Sequence, residues 1–512
     1  MMRWFNVKGP CIPHKHYMVD ISNRLEKMRM LVEREEYFVI NRARQYGKTT
    51  TLVELENYLA DEYIVISMSF QGLGDSSFAS EEKFCQDFLI AVDDRLKAFD
   101  ASDDWLDSTV ESFSELSRHI TKMCKDQKVI LMIDEVDKAS NHRVFLNFLG
   151  ILRNKYQARS EGMDFTFHSV ILAGVYDIKN IKLLHQPASG ERVIDSPWNI
   201  AENFDEEMSF KSVEIAGMLS DYESDHHTGM SVDEVAEEIY SYTSGYPFLV
   251  SRICQYIHEK LEKKWDKEGI VLAVKLMTEE PLPNTLFDDL FKNMVNNEDL
   301  ANFLYEILIQ GRQFRFSPGV EIMATGFRYA FIKIVNGQVR IHNKIFKIVI
   351  SEYFISKERR EGKKAIDNEV EVDVVSGDRF DIELFFKKFN DHYQQRYAHR
   401  DVEFLEREAA FLFLFFLQPY LNGNGFYFLQ AEPSAGKRMD VVIVYGEEEF
   451  IVELKVWKGQ KRHFDGQRQL LGYMEKRGVD KGYLLTFDFR QQREQKLGWI
   501  QVEGKALLEV QV

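Results

Sequence analysis

Cysteine is scarce and scattered: Cys11, Cys85, Cys124 and Cys254 are the four in 512 residues. No two have the C-x-x-C spacing of a zinc site, and thiols so far apart make no dense disulfide framework, so they read as reduced and mostly buried. Long apolar runs are lacking as well. The most apolar stretch, residues 409–417, is about half the roughly 20 residues that a bilayer-crossing helix needs, and is expected to be a buried core helix. Met1-Met2-Arg3-Trp4-Phe5-Asn6 has no continuous apolar segment of the secretory kind, so the expectation is a cytoplasmic protein with no membrane partner. An excess of positive charge is also missing. The formal net charge of -17 argues against broad polyanion binding but leaves room for a local basic groove. Short-period repeats and low-complexity segments are absent from the sequence.

What is present is chemistry at the ends of apolar runs. Tyr37-Phe38-Val39-Ile40 leads into Gly47-Lys48-Thr49-Thr50, and Val129-Ile130-Leu131-Met132-Ile133 ends in Asp134-Glu135. A strand feeding a Gly-Lys-Thr turn brings backbone N–H groups, a lysine ammonium and a helix N-terminus onto phosphates. The later Asp134 can hold Mg²⁺ together with the Thr49 hydroxyl, and Glu135 can orient water. The expected ligand is ATP with Mg²⁺. The first glycine of the usual G-x-x-x-x-G-K-[ST] loop would fall at position 42, which is Arg42. A lone Gly-Lys-Thr turn can simply start a helix; the acidic strand end at a suitable distance argues for the phosphate loop.

At 512 residues two to four domains are expected. Residues 1–205 alternate strand and helix patterns, an α/β domain with a parallel sheet, with strands expected at 38–41, 63–70, 129–133 and 165–173. Residues 206–280 turn helical, 281–357 mix helices with short β pieces at 311–317 and 338–341, and the charge run 357–364 marks a linker spanning 358–372. The last domain then runs from 373 to 512.

That last domain carries a second constellation. Arg438-Met439-Asp440-Val441-Val442 and Phe450-Ile451-Val452-Glu453-Leu454-Lys455 flank the polar turn Gly446-Glu447-Glu448-Glu449. Two strands so joined bring Asp440 near Glu453, and alternation puts Glu453 and Lys455 on one face with Leu454 on the other. Asp440, Glu453 and the Leu454 carbonyl are hard oxygen ligands suited to Mg²⁺, with Mn²⁺ as a substitute, and Lys455 can stabilise developing negative charge. The cluster Lys455, Lys458, Lys461, Arg462, His463 and Arg468 suits a phosphate-facing surface; it can equally be a solvated loop balancing the acidic turn.

Residues 42–49, Arg42-Ala43-Arg44-Gln45-Tyr46-Gly47-Lys48-Thr49, resemble the arginine-rich loop of prokaryotic AAA-like ATPases related to the STAND class. The resemblance implies phosphate roles for Arg42, Arg44, Gln45, Tyr46 and Thr50. It also implies a helical lid at 206–280, whose Gly245-Tyr246-Pro247 is similar to a lid motif that sets Pro247 near the nucleotide. Residues 281–357 look like a winged helix, which can bind DNA and can equally pack between larger domains. Asp440 with Glu453-Leu454-Lys455 resembles the PD-(D/E)XK nuclease superfamily. That resemblance implies a further acid on the preceding helix, Glu408 or its neighbour Glu406, and a Gln-bearing helix with Gln469 and Tyr473. The implied whole is an ATPase whose nucleotide state gates a metal-dependent nuclease acting on nucleic acid, DNA ahead of RNA, in anti-phage or mobile-element defence. A homo-oligomer and a protein trigger fit that picture. The competing reading is a signalling or scaffold ATPase whose nuclease-like domain binds a partner or nucleic acid without cutting.

Overall fold

In a computed structural model of the protein, the described residues are 3–97, 110–140, 142–175, 198–279, 285–310, 312–360, 374–377, 379–396, 402–421, 425–430, 439–446, 448–457, 459–488, 490 and 496–512. Their contacts divide the chain into two units: 1–236 with 245–255 and 328–330, and 237–244 with 256–327 and 331–512. The segment 206–280 expected as one lid is thus shared between the units.

The first unit is built on five strands: β1 (Phe38–Asn41), β2 (Ile64–Ser69), β3 (Val129–Asp134), β4 (Ser169–Gly174) and β5 (Glu202–Asn203). Every pairing is parallel and the order is β2-β3-β4-β1-β5. Residues of β3 and β4 are buried throughout, which is why they read as continuous rather than alternating apolar runs. Phe70, Phe84, Phe88, Phe145 and Phe148 pack with Leu131 and Ile133 in one core. Parallel strands all end on one sheet edge, so the segments after β1, β3 and β4 gather there. β4 starts later than the expected 165–173. Asp164 is held by Lys155 Nζ at 2.7 Å and Phe165 stands exposed, so the chain enters the sheet only at Ser169.

The second unit contains the helices Lys267–Glu279, Thr285–Asn296, Glu298–Leu308 and Lys344–Arg360, with an antiparallel hairpin of β6 (Ile332–Val335) and β7 (Gln338–Ile341). The β piece expected at 311–317 is an isolated bridge, Arg315 to Gln338, rather than a strand. After a two-residue pair, β8 (Val375–Ser376) with β9 (Arg379–Phe380), come the helices Ile382–Arg396 and Val402–Leu421. Then follow β10 (Gly425–Gln430), β11 (Met439–Tyr445), β12 (Glu448–Val456), the helix Gln460–Arg477, β13 (Lys481–Phe487), β14 (Lys496–Val502) and β15 (Lys505–Gln511).

The sheet order is β10-β11-β12-β13-β15-β14. Its two faces are covered differently. Tyr483 and Phe487 meet Phe386, Phe389 and Tyr393 of the helix Ile382–Arg396, and these rings pack on Phe413 and Phe416 of Val402–Leu421. The apolar run at 409–417 is therefore a buried core helix, and among the described residues no helix is long and apolar enough to cross a membrane. On the opposite face, Ile451, Leu484 and Leu507 pack against Leu470, Leu471 and Met474 of the helix Gln460–Arg477. Cys85, Cys124 and Cys254 are buried and all four thiols are free.

Candidate functional site

At the end of β1 the chain turns through Gln45 (φ 56°) and Gly47 (φ 82°) into the helix Lys48–Leu59. The left-handed backbone at Gly47 favours glycine. No side chain caps this helix, so the positive end of its dipole is left for an anion. Lys48 is buried, and its Nζ donates to the carbonyls of Arg42 and Ala43 at 2.9 Å each. Burial pushes Lys48 below the usual lysine value, against the pull of the Asp137, Asp134 and Glu135 carboxylates. Thr49 Oγ1 donates to Asp134 Oδ2 at 2.6 Å, and the Glu135 N–H bonds Asp134 Oδ1 at 2.8 Å. Hydroxyl and carboxylate already point at one another, and Glu135 sits in a left-handed turn (φ 55°) directly after the strand.

The surrounding segments are tied to this loop. Arg42 donates to the Asn41, Phe204 and Glu206 carbonyls at 2.8, 3.1 and 2.6 Å, so its guanidinium anchors the chain after β5. The Tyr246 hydroxyl donates to the Arg44 carbonyl at 2.6 Å, and the rings of Tyr46 and Tyr246 meet edge to face. Pro247, which opens the helix Pro247–Lys260, follows Tyr246 directly. Thr50 Oγ1 accepts the Cys11 N–H at 3.0 Å. Asp137, which sequence reasoning missed, receives the Val175 N–H on both oxygens at 2.7 and 2.9 Å. An acid three residues beyond Asp134 in the same turn was the available signal.

The sequence matches the AAA-like domain family over residues 24–346. The chain belongs to that family. The AAA-like region takes in the whole parallel sheet and its phosphate-loop geometry. An uncharacterized WD repeat-containing protein of Synechocystis sp. is 24% identical over 258 residues, 46% of this chain and 20% of its own length; the chain thus spans about a fifth of that relative. Solved structures similar to the chain include the Walker-type ATPase of Pyrococcus abyssi (12% identity, 68% of this chain and 99% of that one, TM-score 0.47). The Aeropyrum pernix ORC1 protein in complex with DNA (11%, 66% and 94%, 0.31) and ORC2 (11%, 66% and 91%, 0.32) are others.

In the second unit, Asp440 on β11 stands directly opposite Glu453 on β12 in the antiparallel register. The Asp440 side chain, like those of Glu408 and Glu406 on the helix Val402–Leu421, lies outside the described residues, as do Lys458 and the side chain of Arg462. Glu453 is 1% exposed; Lys455 Nζ pairs with its Oε1, and among the described residues Oε2 accepts no hydrogen bond. Lys455 also donates to Gln469 Oε1 at 2.9 Å. A Cβ on Gly466 would stand 2.9 Å from Lys455 Cε, so glycine there lets the helix Gln460–Arg477 close over the lysine. Leu454 is buried toward the opposite face. Among the described residues no three His, Cys, Asp or Glu converge as a metal cluster.

One group beside this pair was not foreseen. Glu509 on β15 is buried and accepts from Gln467 Nε2 at 2.5 Å, meets His463 Nε2 at 2.8 Å and pairs with Lys496. Burial raises its pKa, but the bonds from His463, Lys496 and Gln467 outweigh that and hold it down at about 2. Its signal was an acid inside the apolar run Leu507-Leu508-Glu509-Val510.

Proposed function

We propose that the protein binds and hydrolyses ATP and that its nucleotide state gates metal-dependent cleavage of nucleic acid by the second unit. The ATP half is carried by the Lys48, Thr49 and Asp134 geometry. When phosphates enter, Lys48 exchanges its two carbonyl partners for phosphate oxygens, and the uncapped helix N-terminus adds backbone donors. Thr49 and Asp134 would hold Mg²⁺, which would neutralise phosphate charge. Glu135 orients the attacking water.

The nuclease half is supported above all by Glu453. A carboxylate buried to 1% is costly unless cations compensate it, and among the described residues Lys455 pairs with one oxygen and leaves the other without a hydrogen bond. That donor set fits a hard divalent ion held by Glu453, the opposing Asp440 and the Leu454 carbonyl, with Glu408 as a further acid. Such an ion supplies charge stabilisation at the scissile phosphate. Lys455, held by Gln469, adds a positive charge on the same face. The exposed Lys461 and Arg468 give a nucleic-acid backbone its local attraction within an acidic chain. A role in defence against phage or mobile elements, with a homo-oligomer or protein trigger in the activating step, accords with joining a nucleotide switch to a nuclease.

The test is cleavage of plasmid, linear duplex and single-stranded DNA, and of RNA, by the full-length protein with Mg²⁺ or Mn²⁺, in ATP, ADP or neither. Metal-dependent cutting whose rate changes with nucleotide is the expected result. ATP hydrolysis without cleavage of any substrate would leave the binding-only ATPase as the better account.

A further inference from the structure

The strand that carries Glu453 and Lys455 does not stop presenting side chains at Val456. The Trp457 N–H continues the ladder to the Phe487 carbonyl at 2.8 Å, so alternation sets Glu453, Lys455 and Trp457 in one row on one face. Trp457 is only partly buried. Against its ring lies the Arg490 guanidinium, 4.7 Å from the centroid. Arg490 is held in a fork by Asp488, Nε to Oδ1 at 2.8 Å and Nη2 to Oδ2 at 2.6 Å. The Asp488 carboxylate is fully buried, whereas the arginine side chain is 52% exposed. Also against Trp457 is His463, with ring centroids 5.4 Å apart and Nε2 fixed on Glu509. Phe464 beside it is 59% exposed.

We propose that Trp457 and Arg490 form a base-stacking platform that makes single-stranded nucleic acid the substrate class of the Glu453 and Lys455 site. The proposal rests on the nuclease reading above. A guanidinium whose charge is matched by a buried carboxylate is a poor phosphate clamp but a good flat plate, and bases stack on arginine planes as they do on aromatic rings. Backed by Trp457 and locked by Asp488, the plate loses little freedom on binding. Only an unstacked base can use it; in a duplex both faces of each base are already covered by neighbours. The platform lies in the same row as Lys455, so a strand whose base rests on Arg490 runs its backbone toward the acidic pair. Exposed Phe464 offers a second ring for the next base. Because stacking ignores sequence and sugar, both DNA and RNA strands should bind.

The experiment uses full-length protein carrying Glu453→Gln, which blocks cleavage, and reads fluorescence anisotropy with a labelled mixed-sequence single strand, as DNA and as RNA, and with the DNA duplex. The single strands should bind more tightly than the duplex. Adding Trp457→Ala should weaken single-strand binding about tenfold or more, while Trp457→Phe keeps most of it. Arg490→Ala should behave like Trp457→Ala, and Arg490→Lys should not rescue, since a point charge is not a plate. Equal affinity for strand and duplex, or equal losses for Trp457→Phe and Trp457→Ala, would overturn the platform. A wild type that cuts nothing, with the Trp457 effect intact, overturns the nuclease reading alone. Duplex cutting at the single-strand rate, unmoved by Trp457→Ala, overturns the platform alone.

Discussion

Thr49 Oγ1 donates a 2.6 Å hydrogen bond to Asp134 Oδ2, joining residues 85 positions apart, one in the first turn of the helix that follows β1 and the other at the end of β3. The two strands are not neighbours, because β4 lies between them. The bond therefore fixes the phosphate loop against the acidic strand end across the full width of β4. In a sheet of parallel strands this edge is where ligands collect.

Lys48→Ala should abolish tight ATP binding, since it removes the ammonium that the Arg42 and Ala43 carbonyls hold in the phosphate loop. Glu135→Gln should keep nucleotide affinity and slow turnover. Thr49→Ala should lose most of the Mg²⁺-dependent part of the affinity. Titration calorimetry with ATP, with and without Mg²⁺, separates the three; undiminished binding by the Lys48 variant would refute the phosphate-loop assignment.

Asp440→Ala and Glu453→Ala should each remove metal-dependent cleavage and leave ATP hydrolysis close to wild type, since they strip ligands from one site only. Lys455→Ala should lose cleavage while changing metal affinity less. Parallel phosphate-release and DNA-cleavage assays on one preparation check this, and retention of full cutting by both acid variants would place the chemistry elsewhere.

Gly466→Ala probes the lysine from the helix side. The added methyl would stand 2.9 Å from Lys455 Cε, the flexible end of a side chain that pairs with buried Glu453, so thermal stability should fall by about 1–3 kcal/mol with the fold kept. Displacing Lys455 from Glu453 and Gln469 should nonetheless lower cleavage about tenfold or more. A melting curve and a cleavage rate on the same sample distinguish this from unfolding.

Glu509 sets an acid limit on the second unit. Its folded pKa, about 2, lies below the ordinary 4.5, so the folded state binds the proton less readily than the unfolded chain does. The resulting stability is fully present above about pH 4.5 and is lost as pH falls toward 2. Glu509→Gln should be less stable at neutral pH by about 2 kcal/mol, the usual scale for hydrogen bonds to a charged group. It should also lose less between pH 4.5 and 2. Denaturant unfolding across that range tests both signs, and parallel curves for the two proteins would exclude the effect.

Much of this was legible in the chain itself. Val129 to Ile133 reads as a buried parallel strand because both its faces are apolar, and the chemistry at its end, Asp134-Glu135, is adjacent in sequence. The alternation of Glu453, Leu454 and Lys455 is equally local: period two decides their faces whatever the rest of the sheet does. β10, β14 and β15 were not foreseen. β14 is an edge strand whose residues alternate only between exposed and partly buried, so no buried apolar face marks it; β10 lies at the opposite edge of the sheet.

The sequence by itself determined the helix start that carries Lys48 and Thr49 and the strand ends that carry Asp134, Asp440, Glu453 and Lys455, because each of these signals spans a few residues. Only the tertiary structure decided that β4 separates β1 from β3, that Arg42 anchors the chain after β5, and that Glu509 receives His463 from 46 positions away. Strand order and side-chain partners at that range follow from which faces must be buried together. A local pattern states that a face is apolar or charged; the partner that covers it is chosen by the packing of the whole unit.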